Sequence, residues 1–209
     1  MNSRMNAQWL MTLLMGLVLS ITACNPIKPN EESNQTYRLD APLPPPSLAQ
    51  TLLKIPSAPL LQLSPIQTWA GLETSAIRLI QQPHQMGQYA FSQWIAPPAE
   101  LLLPLIAHHL EQTQKFADIT LTPNPAAQYR LELTLEAMHH NFTTQPSQFE
   151  WQLSAKLFTL PESRLLAKQR FALSQPAPTA DAYGGVIAAN QSLPTLLSQL
   201  TTFVIQALP

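Results

Sequence analysis

The residue with the most distinctive chemistry is Cys24, the single cysteine of the 209-residue chain. It follows Ile21, Thr22 and Ala23 at the end of an apolar run from Trp9 to Ser20, itself preceded by a lone basic side chain, Arg4. The order basic, apolar, small, cysteine is that of a secretory leader closed by a bacterial lipobox. At about 1.5 Å per residue the fifteen residues from Trp9 to Ala23 reach roughly 22 Å, short of the ~30 Å hydrocarbon core, so the segment reads as a signal peptide and not as a membrane span. The expected chemistry is diacylglyceration of the Cys24 thiol, cleavage between Ala23 and Cys24, and acylation of the new amino group by a chain such as palmitate. One acyl chain holds only marginally, and two or three hold stably, because each buried methylene contributes about 0.8 kcal/mol. With one cysteine the chain forms no internal disulfide, and the fold rests on its core.

Other reactive constellations are weaker. The five histidines fall as His84, His108-His109 and His139-His140. Adjacent histidines diverge by about 100° on a helix and point to opposite faces of a strand, so neither pair chelates one ion, and no metal is expected. No GxSxG elbow accompanies the three aspartates, Asp40, Asp118 and Asp181, so Ser-His-Asp catalysis is not expected. Glu132 and Glu136 lie about 13 Å apart on one strand face, too far for a glycosidase pair. Among the five glycines no phosphate-binding GxGxxG or GxxxxGK occurs. Lys+Arg 11 against Asp+Glu 12, with 11% charged residues, argues against a nucleic-acid partner, which demands an excess of cations. The sequons at Asn34, Asn141 and Asn190 carry little weight beside a bacterial lipobox.

The elements that would position any site follow from periodicity. Residues 1–23 form the leader, 24–35 the lipidated N-terminus and a polar tether, and 36–209 one domain. Twenty-one prolines cut the first half into short pieces. Strands are expected at 37–40, 48–55, 60–63 and 75–80, with a turn at Ala70-Gly71. Pro97-Pro98-Ala99-Glu100 opens a Leu-rich helix to about Gln114. Alternation at Tyr129 to Ala137, Phe149 to Leu157 and Leu165 to Leu173 predicts a three-strand antiparallel meander. Asp181 caps a final helix with apolar positions from Val186 to Leu208. Pro104 and Pro194 interrupt the two helical patterns, so a later start or bend is expected for the first helix, and a kink or two helices end to end for the second. The fold class is α+β: an antiparallel or mixed sheet with two helices packed on one face.

Tyr89, Phe91 and Trp94 crowd with Ile95 before the first helix, and their expected alternative to core packing is an exposed aromatic edge that docks a partner.

Taken in order, Cys24, Tyr37-Arg38-Leu39, Tyr89 to Trp94, Ala96-Pro97-Pro98, Tyr129 to Leu133, Leu165 to Phe171 and Val186 to Asn190 resemble the ABC-type transport auxiliary lipoproteins, the PqiC-like family. Pro104 and Pro194 depart from that family, whose helices are usually unbroken there. The resemblance implies a non-enzymatic subunit without cofactor beyond the acyl groups on Cys24. It would be anchored in the outer membrane of a Gram-negative bacterium and face the periplasm; Asn25 after the cysteine resembles the outer-membrane sorting class. It would assist an inner-membrane ABC transporter and its periplasmic MCE-domain protein in moving phospholipid or a sterol-like lipid between membranes, as a homo-oligomeric ring on a symmetric partner. The same architecture also suits an envelope adaptor that binds cell-wall or Tol-type proteins and moves no lipid.

Overall fold

The computed structural model describes residues 34–40 and 58–209. The leader, the lipobox and the strand expected at 48–55 lie outside the described residues. Among the described residues nine strands join one sheet and two helices pack on it. The centre of the fold is the meander, where apolar side chains at alternate positions force one strand face inward. It consists of β7 (Tyr129–Asn141), β8 (Gln148–Thr159) and β9 (Arg164–Pro176). β7 and β8 pair antiparallel from Tyr129 opposite Thr159 to Asn141 opposite Gln148, and β8 continues antiparallel into β9. Leu131, Leu133, Leu135, Phe149, Trp151, Leu153 and Leu157 are all buried. A bulge between Leu135 and Ala137 reverses the parity of β7, so that Met138 and His140, not Ala137 and His139, continue the inward row.

The proline-cut pieces of the first half share the other edge of β7. β2 (Leu60–Leu63), β3 (Gln67–Thr68) and β4 (Ala76–Gln82) pair with it in succession, all parallel, at Tyr129–Leu131, Thr134–Leu135 and His139–Asn141. Pro65 separates β2 from β3, where a missing amide proton ends the ladder. Gly71, at φ 94°, sits in the expected turn, a backbone region that L side chains rarely adopt. β4 turns through Pro83 and His84 into β5 (Gln85–Trp94); His84, at φ 68°, takes the second central place of a type II turn. β6 (Asp118–Thr120) lies parallel on β2, and β1 (Gln35–Tyr37) parallel on β5.

The first strand is therefore earlier than the expected 37–40. The reason is a side chain remote in sequence: Asn190 Nδ2 donates to the Arg38 carbonyl at 3.2 Å, and the Asp40 amide donates to Asn190 Oδ1 at 2.5 Å. An amide side chain thus satisfies the backbone that a strand partner would otherwise take.

The helices are α1 (Pro98–Glu111) and α2 (Ala182–Gln206). α1 starts at Pro98 as expected and ends before the expected Gln114, which lies at φ 55° and turns the chain out. Asp181 caps α2, its Oδ1 accepting from the Gly184 amide at 2.7 Å. Neither proline divides its helix. α1 includes Pro104 in its second turn, and α2 runs as one 25-residue helix through Pro194. Its apolar face is long enough that packing outweighs one missing bond to the Asn190 carbonyl. α2 lies across β8 and β9: Trp151 Nε1 donates to Ser192 Oγ at 2.9 Å, and Phe171 meets Phe203 edge-on at 5.9 Å. α1 joins the same core through Leu102, Ile106 and Leu110.

Candidate functional site

β5 carries the aromatic residues singled out in the sequence, and its pairing decides their fates. Arg78 of β4 faces Gln88 and Ala76 faces Gln93, so residues 89–92 stand opposite a single residue of β4. This four-against-one bulge breaks the simple alternation of β5. Trp94 lies beyond it, regularly paired, and turns fully inward: it is 1% exposed and meets Phe149 edge-on at 6.3 Å and 89°. Trp94 is therefore a core residue and offers no surface to a partner, which corrects the docking expectation at that position. Tyr89 is half-buried, with its hydroxyl 2.8 Å from His140 Nδ1. Phe91, inside the bulge, is 49% exposed. Of the three docking candidates only Phe91 presents its ring to solvent.

Behind Tyr89 a polar cluster closes the start of α2. His140 is fully buried, with Ser147 Oγ 2.9 Å from its Nε2 and the Phe142 ring against it at 4.2 Å, tilted by 37°. A neutral imidazole has one donor and one acceptor nitrogen, and the two hydroxyls satisfy both. Burial holds the His140 pKa below its ordinary value, against an opposing pull from Asp181 and with a smaller push from His139. The Tyr89 hydroxyl is pushed up, first by burial and then by Asp181. Gly185 permits the close packing here: a Cβ on it would stand 2.7 Å from His140 Nδ1. Ser147 is buried as well, and of the cluster Tyr89 alone borders the groove beside β5.

His139 points to the opposite face, as strand geometry demands, with Nε2 3.2 Å from Glu150 Oε2. Burial lowers its pKa more than Glu150 raises it. On the polar face Glu136 is nearly buried and accepts from Arg170 and Ser154, while Arg170 lies 5.9 Å over the Trp69 ring. Arg130 Nε lies 3.0 Å from Glu132 Oε1. These pairings order the solvated face of the meander. Among the described residues no three His, Cys, Asp or Glu side chains approach closely enough to hold a metal ion, and no helix is long and apolar enough to cross a membrane.

Around β1 the surface has a different character. Ile95, 65% exposed, donates its amide to the Tyr37 carbonyl at 2.7 Å, and Tyr37 stacks on Tyr183, 59% exposed, at 6.1 Å and 30°. Phe91 and Asn34 border one groove of about 340 Å³ with Arg78. Arg78 is engaged, donating to the Gly71 carbonyl at 2.6 Å and to Gln88 Oε1 at 3.0 Å. Tyr183 was not legible as part of this patch: it sits in the first turn of α2, off the apolar stripe, and only the fold brings it beside β1.

No protein of curated function matches the chain. Among solved structures, a DUF330-family protein from Xanthomonas campestris is similar, with 16% identity and a TM-score of 0.70, covering 83% of this chain and 96% of its own. An uncharacterised protein shares 13% identity with a TM-score of 0.65, covering 82% of this chain and 99% of its own. Both establish the fold. The family model of the ABC-type transport auxiliary lipoprotein component matches residues 37–201, all but the ends of the domain built around β7 and α2. The chain belongs to the ABC-type transport auxiliary lipoprotein family.

Proposed function

We propose that the protein is anchored by acyl chains on Cys24 and serves as the auxiliary subunit of an ABC system that moves lipid between membranes with an MCE-domain partner. The observation that carries this reading is the family match at residues 37–201, set thirteen residues after a lipobox cysteine. The reading assigns the outer membrane, because Asn25 follows Cys24 where an Asp would favour inner-membrane retention. Copies of the chain would share the axis of a symmetric MCE partner. The subunit contributes binding and placement, with no bond made or broken.

The test is a mild-detergent pull-down of the tagged, lipidated full chain, with proteins and lipids identified by mass spectrometry. Recovery of an MCE-domain protein together with phospholipid is expected. Recovery of cell-wall or Tol-type proteins in its place would overturn the transport reading in favour of an adaptor. The intact mass of the processed chain reads the Cys24 modification separately.

A further inference from the structure

The geometry points to a membrane-contact surface: Phe91, Ile95 and Tyr183, gathered around β1, rest on the lipid surface to which the chain is anchored. The inference rests on the reading of Cys24 as the acylated residue. It adds which face of the domain the bilayer meets.

Three observations carry it. The first is where the chain enters the domain. Asn34 borders the same groove as Phe91, and β1 begins at Gln35. Asn34 lies ten residue steps from Cys24, and such a length spans at most about 33 to 36 Å even fully extended. An acyl group in the bilayer therefore keeps β1 near the headgroups, and the surface beside β1 is the part of the domain that the short connection favours for contact.

The second is the chemistry of that surface. Phe91, Ile95 and Tyr183 are three of seven exposed large apolar side chains among the described residues, Ile95 and Tyr183 the most exposed of them, and the exposed ring of Tyr183 carries a hydroxyl at its tip. A ring with an apolar body and a polar tip suits the boundary between headgroups and acyl chains. The stack of Tyr37 on Tyr183 holds two such rings side by side.

The third is charge. β1 and β5 themselves contain no charged residue, and the nearest exposed charges, Arg38 and Asp40 just past β1, are paired with each other. The opposite edge differs: β9 displays Arg164, Lys168 and Arg170. The two edges are therefore chemically distinct, and a measurement can tell which one meets lipid.

The experiment uses the full-length lipidated protein in phosphatidylethanolamine and phosphatidylglycerol vesicles that contain doxyl-labelled lipid. With Cys24 blocked by its acyl group, one introduced cysteine takes a fluorophore. Gln93→Cys places it beside the patch and leaves Phe91, Ile95 and Tyr183 intact; Gln169→Cys places it on β9. We expect quenching at position 93 to exceed that at 169 by at least about threefold. Adding Phe91→Ser and Ile95→Ser to the Gln93→Cys variant should remove most of that difference while the melting temperature stays unchanged.

Flotation of the same samples reads the anchor independently. A chain that does not float refutes the acylated Cys24 and the membrane-facing surface with it. A chain that floats with equal quenching at the two positions, or stronger quenching at 169, leaves the anchor standing and overturns the assignment of this surface. Protection of position 93 only when an MCE-domain protein is added would overturn it too, and give the patch to a protein.

Discussion

Replacing Gly185 by alanine adds one methyl group at the point where α2 passes the buried His140 ring. That methyl would stand 2.7 Å from Nδ1, 3.1 Å from Cγ and 3.4 Å from Cε1, the first of these closer than real side chains approach. The ring has little freedom to withdraw, because Tyr89 and Ser147 hold its two nitrogens and Phe142 lies against its face. Overpacking of this kind costs typically 1 to 3 kcal/mol. Alanine in place of glycine inside a helix returns about 0.5 to 1 kcal/mol. At the middle of each range the balance is a net loss of about 1 kcal/mol, which for a domain of this size lowers the melting temperature by roughly 2 to 4 °C. Thermal and urea unfolding of the full chain would measure it. Because the ring yields only by loosening its bond to Tyr89, Gly185→Ala should cost clearly less in a Tyr89→Phe background than alone. A Gly185→Ala protein as stable as the parent or more stable, or strict additivity in that cycle, would refute the clamped-ring account.

Three further outcomes follow from the same geometry. Trp94→Ala should lose about 3 to 5 kcal/mol by opening a core cavity, whereas Phe91→Ala should change stability by less than about 0.5 kcal/mol; chemical denaturation of the two variants separates a core residue from a surface one. Asn190→Ala should cost about 1 to 3 kcal/mol by unpairing the backbone at Arg38 and Asp40, with faster amide exchange at Asp40 than in the parent. His109, His139 and His140 all have pKa values held below 6.5, chiefly by burial, so near that pH the unfolded chain binds protons that the folded one refuses. Stability is then full above about pH 6.5 and declines as pH falls from there toward the folded-state values; His140→Gln should reduce that decline, and a melting temperature flat from pH 7.5 to 5.5 would contradict it.

Much of the architecture is written in local periodicity. The alternation of Leu131, Leu133 and Leu135 against Arg130, Glu132 and Thr134 gives one wet and one dry face wherever the strand sits. The meander and its antiparallel order are therefore legible, since short links leave no other way to bury three dry faces together. Asp181 with the apolar stripe from Val186 to Val204 announces α2 in the same manner, and the stripe is strong enough that Pro194 does not divide it. The short strands were harder. β3 and β6 have two and three residues, too few for a period to show, and exist because β7 and β2 offer them an edge.

The aromatic residues before α1 show where sequence reading stops. Phe91 and Trp94 lie three residues apart in one run, and nothing local says which is buried; the bulge set by pairing with β4 sends one outward and the other against Phe149. Likewise Asn190 meets the backbone at Arg38 and Asp40 from about 150 residues away, and Tyr183 stacks on Tyr37 of β1 from the start of α2. The sequence by itself determined the helices and the meander, because each rests on side-chain order within a few residues. Only the tertiary structure decided which aromatic rings meet water and which histidine is enclosed, because those depend on strand pairings and packing between segments far apart in the chain.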